Sequence, residues 1–360
     1  MNPCEITMVD EETGGIGARV PAEETPLPCE GTWRADPWVV RTPSGEIYAA
    51  LSKTEALLWR SADGGRTWSD EGKMGFDPAR NGDISRLTVL ADGGFLITYT
   101  ISELGATGDH YVRSDLYVAR SEDKGQTWQP AHPLDPSPYG MCGGESAGKI
   151  VQLSDGTVLL PVMLFSGSLE ESAHALFLYR STDGGRTWGD RTRLCFFGAE
   201  TSLLQLHSGR LMAAVRYQRQ ALPTDPPELQ AKGGWVYKHV FLADSEDAGR
   251  TWGNWRPGTT QFGDTPGELI QLSDGRVLLL WCHRYPYPEG NIRAKVSHDE
   301  GRTWEPRIYF VSHGAGYPAS LVLEDDVMLT LCGNSVLQAD GFAPKNGRWT
   351  AHAVRWRLPK

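Results

Sequence analysis

One eight-residue segment returns five times along this chain: SADGGRTW at Ser61 to Trp68, SEDKGQTW at Ser121 to Trp128, STDGGRTW at Ser181 to Trp188, SEDAGRTW at Ser245 to Trp252 and SHDEGRTW at Ser297 to Trp304. The shared template is S-x-D-x-G-x-T-W, and its starting serines are 60, 60, 64 and 52 residues apart. That period is too short for a domain and suits one four-stranded β unit. Within each copy the Asp side chain can accept hydrogen bonds from backbone amides a few residues on, and the Gly can take a positive φ, so the segment reads as a hairpin turn. Five of the 13 Trp close these boxes, placed where a large apolar ring can wedge one unit against its neighbour. Five identical catalytic aspartates would make no chemical sense, so the box aspartates are structural.

A second pattern, of apolar strand, tight turn and apolar strand, precedes each box. It runs PWVVRTPSGEIYAAL, RLTVLADGGFLITYT, GKIVQLSDGTVLLPVM, SLLQLHSGRLMAAVR, GELIQLSDGRVLLLW and ASLVLEDDVMLTLCG. Six hairpins and five boxes make six units, the last lacking its box and ending in the strand-like WTAHAVRWRLP. Radial closure covers both faces of such units and leaves only short edges. The expected fold is therefore all-β, a six-bladed β-propeller of four-stranded antiparallel blades with Asp-box turns. The units consume the chain, so residues 1–360 form a single domain, with 1–30 as the N-terminal segment and Cys4 to Val9 as the candidate strand to close the last blade. No stretch of helical length has a 3.6-residue period. The longest irregular runs are Ser102 to Asp115, Ser166 to Ser172 and Gln218 to Gly234, the last rich in Pro and Gly and a candidate lid or dimer contact.

Composition narrows the partners. The 35 Lys and Arg against 45 Asp and Glu leave a net charge of −10, which disfavours nucleic acid and anionic lipid as partners. No run approaches the length of a membrane span, and MNPCEITMVDEETGG lacks the basic and apolar regions of a signal peptide. The expected location is cytoplasmic, unless a leader has been removed. Six scattered cysteines with no CxxC pair read as buried free thiols. His110, His174, His239, His283 and His313 show no metal-ligand spacing, and no phosphate-cradling motif is present, so neither metal nor cofactor is expected.

In a propeller, the residues just before each hairpin converge on one mouth of the central channel. These are Arg34 and Asp36, Asp83 and Arg86, Glu145, Glu200, Asp264 and Glu268, and Tyr317. Carboxylates, arginines and a tyrosine at the start of apolar strands point to a ligand site. Glu145 and Glu268 are site-lining candidates that can also serve as partners of the arginines.

Five such boxes on six blades resemble the sialidase superfamily of Asp-box propellers, over nearly the whole chain. Arg34 in WRADP looks like the family's first-blade arginine, with one extra residue before the proline. The segment GAETSLLQLHSGRLMAAVR is similar to the family stretch in which a glutamate, here Glu200, opens the inner strand and an arginine, here Arg216, closes the next. Arg284 in LLLWCHRYP takes the place of the third arginine, and Tyr317 in GYPASLVLEDD that of the catalytic tyrosine.

The resemblance implies an exo-glycosidase on sialic acid or a related acidic sugar, with Arg34, Arg216 and Arg284 as the carboxylate clamp. A carboxylate on the carbon under attack repels a carboxylate nucleophile. A neutral phenol activated by an adjacent base is not repelled, giving Tyr317 as nucleophile and Glu200 as base. The family's first-blade aspartate is missing from YAALSKTEALLWRS, where Glu55 is the only carboxylate on the loop. Either Glu55 substitutes, or a mouth residue such as Asp36 or Asp83 protonates the leaving group, or the chemistry differs. A glycosidase on another acidic glycan and a non-catalytic carbohydrate-binding propeller are the alternatives. The oligomeric state is not legible.

Overall fold

The structure, a computed structural model, describes residues 2–29, 37–51, 57–75, 83–106, 111–143, 149–166, 175–230, 237–284, 290–314, 316–333, 335–338, 341–344 and 350–359. The fold is all-β, built from short antiparallel strands in chain order. The first sheet is Pro37–Arg41, Ile47–Leu51, Leu57–Ser61 and Ser69–Lys73, each strand paired with the next. The same order recurs in a fourth sheet, Thr201–Gln205, Leu211–Arg219, Tyr237–Ser245 and Gly253–Pro257, and in a fifth set, Asp264–Gln271, Val277–His283, Asn291–Ser297 and Arg307–Ser312. Asn2–Asp10 and Ile16–Pro26 join that fifth set to a sixth, Ala351–Trp356, Met328–Gly333 and Ala319–Val322, in one nine-stranded sheet. Among the described residues the second sheet has three strands, Asp83–Val89, Phe95–Leu104 and Tyr111–Ser121. In the third, Val151–Gln152 and Met141–Cys142 both pair with Val158–Phe165, which continues to Ala175–Ser181 and Gly189–Cys195.

Each box turns the chain at the end of the third strand of its unit, and its hydrogen bonds explain the fixed Ser, Asp and Thr. In the third copy the Ser181 hydroxyl donates to Asp183 at 2.7 Å and accepts the Gly185 amide at 2.8 Å. The carboxylate of Asp183 also takes the amides of Arg186 and Thr187 at 3.0 and 2.9 Å, and the Thr187 hydroxyl at 2.6 Å. Gly185 has φ +84°, and a Cβ there would stand 2.7 Å from Leu96 of the preceding sheet. Gly65 makes the corresponding approach to Leu329, in the strand Met328–Gly333 of the last sheet. The box Trp side chains pack between units as expected, Trp188 against the core shared by the second and third sheets and Trp304 against that shared by the fourth and fifth.

The core is divided by the two-residue period of a strand. In Val277–His283, Val277, Leu279 and Trp281 join a cluster with Met212 and Leu242 of the fourth sheet, while Leu278, Leu280 and Cys282 join one with Met328 and Trp356 of the sixth. Burial of both faces is why these second strands are continuous apolar runs. The first sheet shares a cluster with both the second and the sixth, through Trp59, Phe95 and Leu329 among others. The opening strands also touch in series: Pro37–Arg41 lies against both Asp83–Val89 and Ala319–Val322, and Asp264–Gln271 against both Thr201–Gln205 and Ala319–Val322.

The N-terminal strands knit this series together in a way that differs from expectation. Ile16–Pro26, rather than Cys4 to Val9, pairs with Ala351–Trp356, the strand that lies beside Met328–Gly333 in the last sheet. Asn2–Asp10 lies one strand further out and pairs with Arg307–Ser312 of the fifth sheet. Two irregular runs also differ. Ser102 and Glu103 face Ser114 and Arg113 across a continuing ladder, because main-chain pairing is indifferent to the polar side chains of an exposed ribbon. Gln218 and Arg219 finish a strand, and Pro227–Gln230 makes a single helical turn after the Arg219–Asp225 ion pair. The cysteines are free, and all but the half-buried Cys4 are buried.

Candidate active site

The 16-residue separation of Glu200 and Arg216 is that of a facing pair on one hairpin. Thr201 pairs with Val215, and the Arg216 amide donates to the Glu200 carbonyl at 3.2 Å. Both side chains therefore leave the same end of the sheet, 4% and 7% exposed, and the Arg216 guanidinium donates to Glu200 Oε1. Tyr317 arrives from the loop before Ala319–Val322, where the Gly316 amide points to Cys282 Sγ at 3.3 Å. Its hydroxyl donates to the same Glu200 oxygen at 2.6 Å and lies 3.4 Å from Arg216 Nη1. The other end of the Arg216 guanidinium donates to Gln218 Oε1.

Burial works against the charge on Glu200, but Arg216 and the Tyr317 hydroxyl outweigh it and hold the carboxyl well below the usual carboxylate range. Glu200 is thus ionised at neutral pH and aimed at a phenol proton. Its Oε2 is buried with no hydrogen-bond partner among the described residues.

Arg284 follows the strand Val277–His283. Its amide donates to the Gly263 carbonyl at 3.2 Å and its Nε to the Thr265 carbonyl at 3.1 Å. Behind it His283 and Asp264 form a buried pair at 2.6 Å. The Arg284 guanidinium carbon sits 5.9 Å from the centre of the Tyr317 ring.

Two residues of the mouth join the site more closely than their sequence context suggests. Arg86 stacks over Trp38, its guanidinium carbon 3.3 Å from the ring centre, and stands 5.9 Å from the Tyr317 ring. Glu268 is 7% exposed, accepts the Ser320 amide at 2.9 Å and faces Lys149 Nζ at 4.0 Å. Its burial raises the carboxyl above its ordinary value, against the pull of Lys149 and Ser320. One cavity is lined by Trp38, Arg86, Lys149, Glu200, Glu268 and Tyr317, together with backbone and small side chains of the opening strands. Trp38 and Lys149 carry no sequence signal of a site, since Trp38 reads as strand core and Lys149 as a strand flank.

The structure thus brings Glu200, Arg216, Arg284 and Tyr317 together. Arg34, Asp36, Glu55 and Glu145 lie outside the described residues, and Asp83 opens the strand Asp83–Val89 with its side chain outside the described set. Among the described residues no group of His, Cys, Asp and Glu could hold a metal ion, and no helix is long and apolar enough to cross a membrane.

The model of the BNR repeat-like domain matches residues 103–329. The chain belongs to this BNR repeat family, within the sialidase superfamily. A sialidase of Bacteroides fragilis is 24% identical over 321 residues, which is 78% of this BNR repeat protein and 54% of the relative. The chain therefore spans about half the length of that relative. Among solved structures, an α-L-arabinofuranosidase from Fusarium graminearum superposes with a TM-score of 0.63 at 15% identity, covering 94% of this chain and 97% of that one. A NanB sialidase variant from Streptococcus pneumoniae superposes with a TM-score of 0.61 at 12% identity, over 92% of this chain and 70% of that one. The BNR repeat protein shares their fold, and at these identities the likeness carries no substrate.

Proposed function

We propose that this protein is a retaining exo-glycoside hydrolase of sialidase type, acting on sialic acid or a related acidic sugar in a glycan. The observation that carries the reading is the Tyr317 hydroxyl donating at 2.6 Å to a buried, ionised glutamate, Glu200. In the first step Glu200 takes the Tyr317 proton, the phenol oxygen bonds to the anomeric carbon, and the bond to the leaving oxygen breaks as that oxygen is protonated. Water then attacks the same carbon, its proton passing to the group that had served as acid, and the tyrosine leaves, recovering its own proton from Glu200. Arg34, Arg216 and Arg284 hold the sugar carboxylate through charge-assisted bonds. When that carboxylate competes for Arg216, Glu200 loses part of its stabilising partner and becomes a stronger base. The acid is to be sought among Glu55, Asp36 and Asp83, with Glu145 as a further lining residue.

The shared cores between successive sheets, closing from the sixth back to the first, support a six-bladed propeller as the architecture. On that reading residues 1–360 are one domain, and the opening strands gather Glu200, Tyr317 and Arg86 at a single mouth.

The test is turnover of a fluorogenic α-sialoside by the wild type beside Tyr317→Phe, with uronides and neutral glycosides in parallel. Release from the sialoside that vanishes in the variant supports the reading. Activity confined to another acidic glycoside keeps the clamp and discards sialic acid, and silence across the panel leaves a carbohydrate-binding protein as the better account.

A further inference from the structure

Arg216 is heavily committed within the protein: one terminal nitrogen serves Glu200 and Tyr317, the other Gln218. A guanidinium so engaged positions the Glu200–Tyr317 pair as well as serving the carboxylate clamp. The cavity beside Tyr317 has a further cation in a prepared setting. Arg86 lies in Asp83–Val89, where the pairing with Phe95–Leu104 slips between Ile84 and Arg86, and such a bulge re-aims a side chain near a site. The guanidinium carbon then sits over the Trp38 ring at 3.3 Å, a contact that restrains the side chain and lowers the entropy lost on binding. From there it faces the Tyr317 ring at 5.9 Å, the same distance as Arg284. Arg86 also lines the cavity that holds Glu200 and Tyr317.

Building on the glycosidase reading, we infer that Arg86 is a substrate-binding residue, which with Arg284 seats the carboxylate of the sugar beside Tyr317. The charge around it is consistent with an anionic guest. The cavity is lined by Arg86 and Lys149 with Glu200, while Arg216 bonds Glu200 and Arg284 stands 5.9 Å from the Tyr317 ring, in a chain whose net charge is −10. The second carboxyl in the cavity, Glu268, is raised above its ordinary value by burial, against the pull of Lys149, Ser320 and Arg86.

The carboxylate can be removed from the ligand as well as the arginine from the protein. Equilibrium binding of 2,3-unsaturated sialic acid and of its methyl ester would be measured by calorimetry on wild type, Arg86→Gln, Arg86→Lys and Tyr317→Phe, each checked for an unchanged melting curve. The wild type is expected to prefer the free acid at least tenfold. Arg86→Gln should cut that preference severalfold or more, Arg86→Lys should restore part of it, and Tyr317→Phe should keep it. An unchanged preference in Arg86→Gln, or no acid preference in the wild type, overturns the assignment. Failure of the glycosidase reading is distinguishable, because it shows as absent turnover of the sialoside while the acid preference and its dependence on Arg86 persist.

Discussion

A phenol and a guanidinium meeting on one carboxylate oxygen make Glu200 the residue on which the site turns. On the proposed mechanism, replacing Tyr317 by Phe removes the nucleophilic oxygen and keeps the ring, so turnover of an α-sialoside should fall by about a thousandfold or more while binding changes little. On the same mechanism Glu200→Gln keeps the shape and removes the base, and kcat should drop roughly 10²–10⁴-fold. The sign of the shift sets the pH dependence. Glu200 is held below its ordinary value of 4.5, so its contribution to stability is complete above about pH 4.5 and fades as pH falls toward its folded value. An acid limb of kcat/KM near neutral pH would therefore belong to another group. A profile on the free enzyme that loses activity with a midpoint near pH 6, and keeps that midpoint in the Glu200→Asp variant, would place it there.

At the scale of the element, the box is a self-contained knot of hydrogen bonds, and its aspartate is the hub. Burial opposes the charge of Asp183, but Thr187 and Ser181 outweigh it and draw the carboxyl down from 3.8 to about 2. Asp183→Ala removes four hydrogen bonds, and at a net of about 0.5–1.5 kcal/mol each the loss should be roughly 2–6 kcal/mol. Urea unfolding at pH 7 measures it. Because the folded value is depressed, Asp183→Asn should cost most at neutral pH and progressively less as pH falls from about 4 toward 2, where the wild-type carboxyl protonates. Gly185→Ala should destabilise by about 1–3 kcal/mol, since the positive φ and the leucine 2.7 Å away both reject a methyl group. The meaning of the box as a turn was plain from residue types alone. Its approach to the preceding sheet was not, because the partner is Leu96, distant in sequence and ordinary in context.

For the whole molecule, the N-terminal strands join the fifth set of strands to the last in one continuous nine-stranded sheet. Ile16–Pro26 supplies backbone partners to Ala351–Trp356, and Asn2–Asp10 covers the edge of Arg307–Ser312. Deleting residues 2–26 would strip both edges and uncover Tyr309, Trp356 and their neighbours in the core that Ile6, Met8, Val20 and Ala22 share. The truncated chain should lose its cooperative thermal transition or aggregate, as circular dichroism would show, and a sharp melt near the wild-type temperature would contradict this role. Strand choice here escaped sequence reading because no turn ties the N-terminal hairpin to the last strands: Cys4 to Val9 and Ile16–Pro26 both alternate, and only packing assigns which meets Ala351–Trp356.

Local chemistry repeated in order is what the sequence by itself determined: five boxes whose Ser, Asp, Gly, Thr and Trp each have a short-range task, six apolar hairpins, and the pairing of Glu200 with Arg216, which needs only the register of one hairpin. Tertiary structure alone decided what those units do together. It set Tyr317 from the last sheet on Glu200 of the fourth, laid Arg86 of the second on Trp38 of the first, and buried Glu268 against Ser320. These contacts join residues up to 117 positions apart, as Glu200 and Tyr317 are. Their geometry depends on the angle and depth at which separate sheets pack, and no spacing within one hairpin encodes that.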